Sequence, residues 1–142
     1  MAGELSTRNL SIIAIIIVII SLTLLYYSQT SKPRPMYFTV QVIDETFVIY
    51  VTDFETVKLA LESLNGKNSK IPFGDLAAGD GGFNNPWSWH MVPDTVRMVD
   101  FSIEIYSGKP SFVEEELDYW LNTLGSFSPW SGKIISANRK PP

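Results

Sequence analysis

Met36-Tyr37-Phe38-Thr39-Val40-Gln41-Val42-Ile43-Asp44-Glu45-Thr46-Phe47-Val48-Ile49-Tyr50-Val51-Thr52 decides how the chain folds. Phe38, Val40 and Val42 alternate with Thr39 and Gln41, the period of a strand with one buried face. Asp44-Glu45 reads as a turn into a second strand, Thr46 to Thr52. In Phe47-Val48-Ile49-Tyr50-Val51 both faces are apolar, which suits a strand in the middle of a sheet.

Downstream, Asp53 is placed as an N-cap, and Phe54, Val57, Leu61 and Leu64 recur at helical spacing. Asn65-Gly66 supplies a left-handed stop, so a helix runs from Phe54 to Leu64. Signals weaken from Lys67 to Asn85. Ile71 to Ala78 reads as an edge strand because it contains Pro72. Gly79-Asp80-Gly81-Gly82-Phe83-Asn84-Asn85 has neither the lysine of a P-loop nor the ligand spacing of an EF-hand, and reads as a flexible turn. In Asn85-Pro86-Trp87-Ser88-Trp89-His90-Met91, the residues Trp87, Trp89 and Met91 share one parity and Ser88 and His90 the other. As a strand, this stretch turns its tryptophans inward and His90 away.

Val92-Pro93-Asp94-Thr95 is a turn. Val99 to Tyr106 is the clearest strand, with Val99, Phe101, Ile103 and Ile105 on one side and Asp100, Ser102, Glu104 and Tyr106 on the other. Ser111 and Glu114 have capping-box spacing at the start of a last helix, whose apolar stripe is Val113, Leu117, Trp120, Leu121 and Leu124. Gly125 ends it. Ser128-Pro129-Trp130-Ser131-Gly132 turns the chain into a closing strand, Lys133 to Ser136. The order predicts an α+β domain with a mainly antiparallel sheet of about five to six strands and two helices, the helices on one face.

Upstream, Leu10 to Tyr27 holds eighteen residues without a charge, about 27 Å as a helix at roughly 1.5 Å per residue. A cleaved signal peptide competes with a membrane span here. Its apolar region is usually only about 7 to 15 residues, and Tyr26 and Tyr27 sit where interfacial anchors belong. The chain therefore divides into a short N-terminal segment 1–9, a transmembrane signal-anchor helix 10–27, a proline-containing spacer 28–35, a globular domain 36–137 and a disordered tail 138–142. Residues 10–27 meet membrane lipid. Arg8 lies on one side of the span and Lys32 and Arg34 on the other, so the positive-inside count gives no orientation.

From Met36 onward eight Lys or Arg stand against fourteen Asp or Glu, a net charge of −6. Nucleic acid is a poor partner for such a surface, because phosphate binding requires concentrated positive charge. The chain has no cysteine, which removes cysteine-ligated zinc sites, iron–sulfur clusters, thiol catalysis and disulfides together. No cofactor or metal is implied.

His90, the one histidine, pairs with Asp94, Asp100 or Glu104 in a catalytic reading, and Ser88, His90, Ser102 and Glu104 converge if their strands are neighbours. No nucleophile motif supports it, and a histidine bonded locally is the plainer reading. Trp87 and Trp89 read as core. Trp130, in its turn, reads as exposed, and with His90, Ser88 and Asp94 makes the candidate binding surface. Glu114-Glu115-Glu116 with Asp118 reads as a solvated first helical turn.

Asn85-Pro86-Trp87-Ser88-Trp89-His90, Pro93-Asp94, the strand with Glu104, Pro110, Val113-Glu114-Glu115 and Pro129-Trp130-Ser131 occur in an order that resembles a small domain family. The family is typified by the N-terminal domain of a cAMP-inducible slime-mould protein and occurs in many bacterial, mostly secreted, proteins. The resemblance covers most of Met36 to Ser136, and Trp-Ser-Trp-His with the later Pro-Trp-Ser is its most specific part. Relatives often carry cysteines where this chain has Tyr106 and Ser128, and a glycine between the proline and the first tryptophan. The joint loss implies that those cysteines pair, and hence that Tyr106 and Ser128 are neighbours. The resemblance also implies a domain outside the cytoplasm and supplies no catalytic residues.

The expected function is a single-pass, membrane-anchored, extracytoplasmic binding or interaction module for an unknown protein or small ligand. The alternatives are a hydrolase-type enzyme using His90 with a carboxylate, and an accessory subunit of a membrane complex recognised through its helix.

Overall fold

The computed structural model describes residues 7–30, 34–102 and 108–142. The chain forms two compact units, Met1–Lys32 and Pro33–Pro142. In the first, helix α1 spans Thr7–Thr30. Its segment Asn9–Ser28 has mean hydropathy 2.7 and is long and apolar enough to cross a membrane. Ser21 and Thr23 donate their hydroxyls to the carbonyls of Ile17 and of Ile19 and Ile20, which satisfies these polar groups within the helix.

The second unit opens with the expected hairpin, β1 (Met36–Val42) and β2 (Glu45–Val51). Val42 faces Glu45, so the two-residue turn is Ile43-Asp44, one position earlier than expected. Such turns require a positive φ, and here Ile43 takes it at 58°. For a β-branched side chain this is strained backbone, costing on the order of 1–2 kcal/mol.

β7 (Lys133–Asn138) runs past the expected end at Ser136 and pairs antiparallel with the other edge of β1. The order β2-β1-β7 makes β2 an edge strand, not a central one. Its two apolar faces have another cause. Phe47, Ile49 and Val51 enter the core, while the 79–85 loop closes over the neighbouring positions: Val48 donates its N–H to Asn84 Oδ1 at 2.7 Å, and Tyr50 meets Phe83.

Helix α2 spans Phe54–Leu64, as expected, with Asp53 accepting from the Thr56 N–H and hydroxyl at 2.9 and 2.8 Å. Val57 and Ala60 are fully buried.

β3 (Ile71–Ala78) is the centre of a second sheet rather than an edge. β4 (Trp89–Met91) pairs with one end of it, β5 (Arg97–Val99) with the other, and β6 (Ser126–Phe127) with Gly74 and Asp75 between them. Pro72 is tolerated because β6 does not reach it, and its carbonyl accepts the Ser128 hydroxyl at 2.9 Å. Between β4 and β5 the register slips by three residues, taken up by the 3-10 turn Pro93–Thr95. Val92 N–H to Asp75 O, and Asp75 N–H to Thr95 Oγ1, carry the pairing across this interruption.

The expected strand Val99 to Tyr106 ends at Val99. Phe101 is 76% exposed and lies outside any strand. Ile103, Glu104, Ile105 and Tyr106 lie outside the described residues, and with them the expected approach of Tyr106 to Ser128.

The last helix is broken. Helix α3 is Pro110–Glu115, α4 is Leu117–Tyr119, and a π-helical turn, Trp120–Leu124, completes the segment before Gly125 at φ 72°. Val113 and Trp120 are buried as expected, but Leu124 is 44% exposed because the wider turn swings it off the stripe.

The capping box is also not formed. α3 has no side-chain cap of its own. Ser111 gives its N–H to Glu45 Oε2 at 2.9 Å and its hydroxyl to Glu45 Oε1 at 2.7 Å, and Glu114 instead accepts the Ser88 N–H at 2.8 Å. The domain is thus α+β with seven strands in two antiparallel sheets. One core joins them, with Phe38, Val40 and Ile49 from the first sheet and Leu76, Trp89, Met91 and Phe127 from the second.

Candidate functional site

Trp89 and Met91 are fully buried, as the alternation of β4 demands. Trp89 meets Phe47, Trp87 and Phe127 at ring-centroid distances of 5.5, 6.4 and 5.4 Å. Trp87 donates its indole N–H to Thr46 O at 2.8 Å. Both tryptophans stitch β2 to the second sheet.

His90, on the other side of β4, has Nδ1 2.7 Å from Gly79 O. Its ring stands edge-on to Phe83 at 5.7 Å and presses on Gly81, where any Cβ would lie 2.8 Å from the imidazole. This accounts for glycine at 81. The loop 79–85 is therefore pinned rather than loose: Asp80 accepts from Gly82, Phe83 and Asn84, and Phe83 packs on the stacked pair Tyr37 and Tyr50.

Asp94 accepts the Thr52 hydroxyl at 2.9 Å, and Asp100 pairs with Lys70 at 2.6 Å. Among the described residues, His90 makes no hydrogen bond to a carboxylate, and no group of three or more His, Asp or Glu gathers as metal ligands would. Glu104 lies outside those residues. Ser88 is exposed at its side chain and engaged at its amide by Glu114.

Trp130 stands apart from all of these. Pro129 and Gly132 are buried beneath it, and Gly132 N–H closes the turn onto Pro129 O at 2.8 Å. A Cβ at Gly132 would sit 2.9 Å from Pro129 and 3.3 Å from Val40, so only glycine lets the turn lie flat on β1. The flat turn leaves Trp130 54% exposed.

Its indole borders a groove of 380 Å³ whose polar lining comes from Ser63, Asn68, Ser69, Lys70, Ser131 and Lys133; Ser88, His90 and Asp94 are not part of it. Asn68 fixes one wall by accepting the Lys70 N–H at 3.0 Å and donating to Leu59 O at 3.1 Å. Ser63 donates to Lys70 O at 3.2 Å. Ser131 Oγ is buried and has no hydrogen-bond partner among the described residues. The groove combines a large ring, a cation at Lys133 and a hydroxyl with unused bonding capacity, a lining suited to a ligand with one flat apolar side and several polar groups. Ser63, Asn68, Lys70 and Lys133 carry no sequence signal, because they reach the groove from the end of α2, the lead into β3 and the start of β7.

The family model that matches this chain, over residues 34–141, is that of the slime-mould-type N-terminal domain designated BP-74. No curated protein and no solved structure gives a significant match. The family match spans the whole two-sheet unit, including the Trp-Ser-Trp-His strand and the Pro-Trp-Ser turn, and the chain belongs to this slime-mould-type N-terminal domain family.

Proposed function

We propose that this protein is a single-pass, membrane-anchored binding module whose domain lies outside the cytoplasm and takes its ligand in the Trp130 groove. The exposed indole at the edge of a polar groove carries the reading, because a large ring held out of the core by a closed turn offers a stacking surface. A sugar ring is the simplest ligand with a flat apolar face and a rim of hydroxyls. The apolar α1 supports the anchor.

Two measurements test it. Full-length protein in maltoside-free micelles, screened against an oligosaccharide array, should retain a saccharide; Trp130→Ala should weaken retention at least tenfold, about 1.4 kcal/mol, at unchanged thermal stability. Equal retention by the variant removes the groove from the reading. For orientation, the cysteine-free chain is a ready background: Lys67→Cys should react with an impermeant maleimide on intact cells. Labelling only after permeabilisation places the domain in the cytoplasm.

A further inference from the structure

Pro110 to Leu124 has the pattern of one amphipathic helix, yet its backbone departs from it at Glu116 (φ −118°, ψ 41°) and again in the π-helical turn Trp120–Leu124. A groove of 360 Å³ lies at these departures, lined by Phe112, Glu115, Glu116, Tyr119 and Trp120. Short π-helical turns inside helices recur at functional surfaces, since the widened turn forgoes regular packing.

The acids of this segment divide into two sets. Glu114 accepts the Ser88 N–H and Asp118 accepts the Asn122 amide. Glu115 and Glu116, which line the groove, have no ion-pair partner among the described residues. Tyr119 is 49% exposed and Phe112 37%. Aromatic faces beside unpaired carboxylates complement a cation with an apolar stem: the rings attract its charge and cover the stem, and the carboxylates supply the counter-charge. Leu124, exposed in the same π-helical turn, adds apolar surface beyond what a single small cation covers.

We infer that this groove docks a basic peptide segment of a partner protein, an arginine or lysine side chain lying against Tyr119 and Phe112 with its charge between Glu115 and Glu116. The surface is separate from the Trp130 groove, so each stands or falls alone.

The test uses the full chain with ¹⁵N-labelled indoles in neutral-detergent micelles. The probes are the peptide acetyl-Gly-Arg-Gly-Arg-Gly-amide, its citrulline counterpart, and tetramethylammonium chloride. The arginine peptide should shift the Trp120 indole resonance saturably and the citrulline peptide should not. The double variant Glu115→Gln/Glu116→Gln should bind about tenfold more weakly. Unmoved Trp87, Trp89 and Trp130 resonances in the variant establish that it is folded. The docking site is overturned by an absent shift, by equal response to citrulline, by unchanged affinity in the folded double variant, or by tetramethylammonium saturating the groove at the peptide's concentration.

Discussion

Asn84, fully buried, works at both ends of its side chain: Oδ1 accepts the Val48 N–H at 2.7 Å and Nδ2 donates to Trp89 O at 2.8 Å. Its own amide reaches Asp80 O, and its carbonyl takes the Trp87 N–H. One residue thereby closes the edge of β2 and ties it to β4. Replacing Asn84 with Ala strands a backbone donor and a backbone acceptor in the interior, and should cost about 2–4 kcal/mol, at roughly 1–3 for each unsatisfied group. Denaturant unfolding measures it; a loss under about 1 kcal/mol would mean that the loop is held by Phe83 alone. Nothing in Gly79-Asp80-Gly81-Gly82-Phe83-Asn84-Asn85 distinguishes this asparagine from a solvated one, because its partners lie on two separate strands. Trp89 and Met91 were legible for the opposite reason: parity along a strand is local.

Among the elements, α2 could be read to the residue, since its cap at Asp53 and its stop at Asn65-Gly66 belong to the same few residues. α3 could not. Ser111 and Glu114 have capping-box spacing whether they bond each other or, as here, Glu45 and Ser88. Glu45→Ala and Ser111→Ala should each destabilise by about 1 kcal/mol, and the double variant by less than their sum, with a coupling of about 0.5 kcal/mol or more. Strict additivity would show that the contact contributes nothing. Pro72 misled in a similar way, because the gap in β6 that accommodates it is a tertiary feature.

Two carboxyls at element ends also set a response to acid. Hydrogen bonds from the Thr56 N–H and then its hydroxyl hold the Asp53 carboxyl below its ordinary value of 3.8. Lys109, hydrogen-bonded to Asp44, does the same for that carboxyl. A carboxyl with a depressed folded-state pKa favours the fold above its ordinary value and loses that contribution as pH falls through the folded one. Stability should therefore decline from about pH 4 downward. Asp53→Asn, which keeps the capping oxygen and removes the titration, should make the decline shallower; an unchanged slope in acid unfolding curves would exclude Asp53 as a source.

At the scale of the molecule, the α+β class was legible because alternation and helical spacing are strong where they occur. The division into two sheets was not, since β3 takes its partners from Trp89–Met91, Arg97–Val99 and Ser126–Phe127, a choice made by packing. α2 packs on both β7 and β5, and one core runs through both sheets. The sheets should then melt together. Near-ultraviolet circular dichroism and the separate indole resonances of Trp89 and Trp130 should give one midpoint; midpoints that differ by more than experimental scatter would make the sheets independent units.

The carboxylate that closes the start of α3 comes from 66 residues earlier in the chain. A six-residue helix without a cap of its own is too short to persist in water, so α3 must wait for the β1–β2 turn to exist. That hairpin is local and forms within about 1–10 μs. It also leaves the ribosome first. The order of synthesis thus matches the order of dependence: by the time Ser111 emerges, Glu45 is already in place to receive it, and the nascent chain need not hold an unfinished helix open beside the membrane.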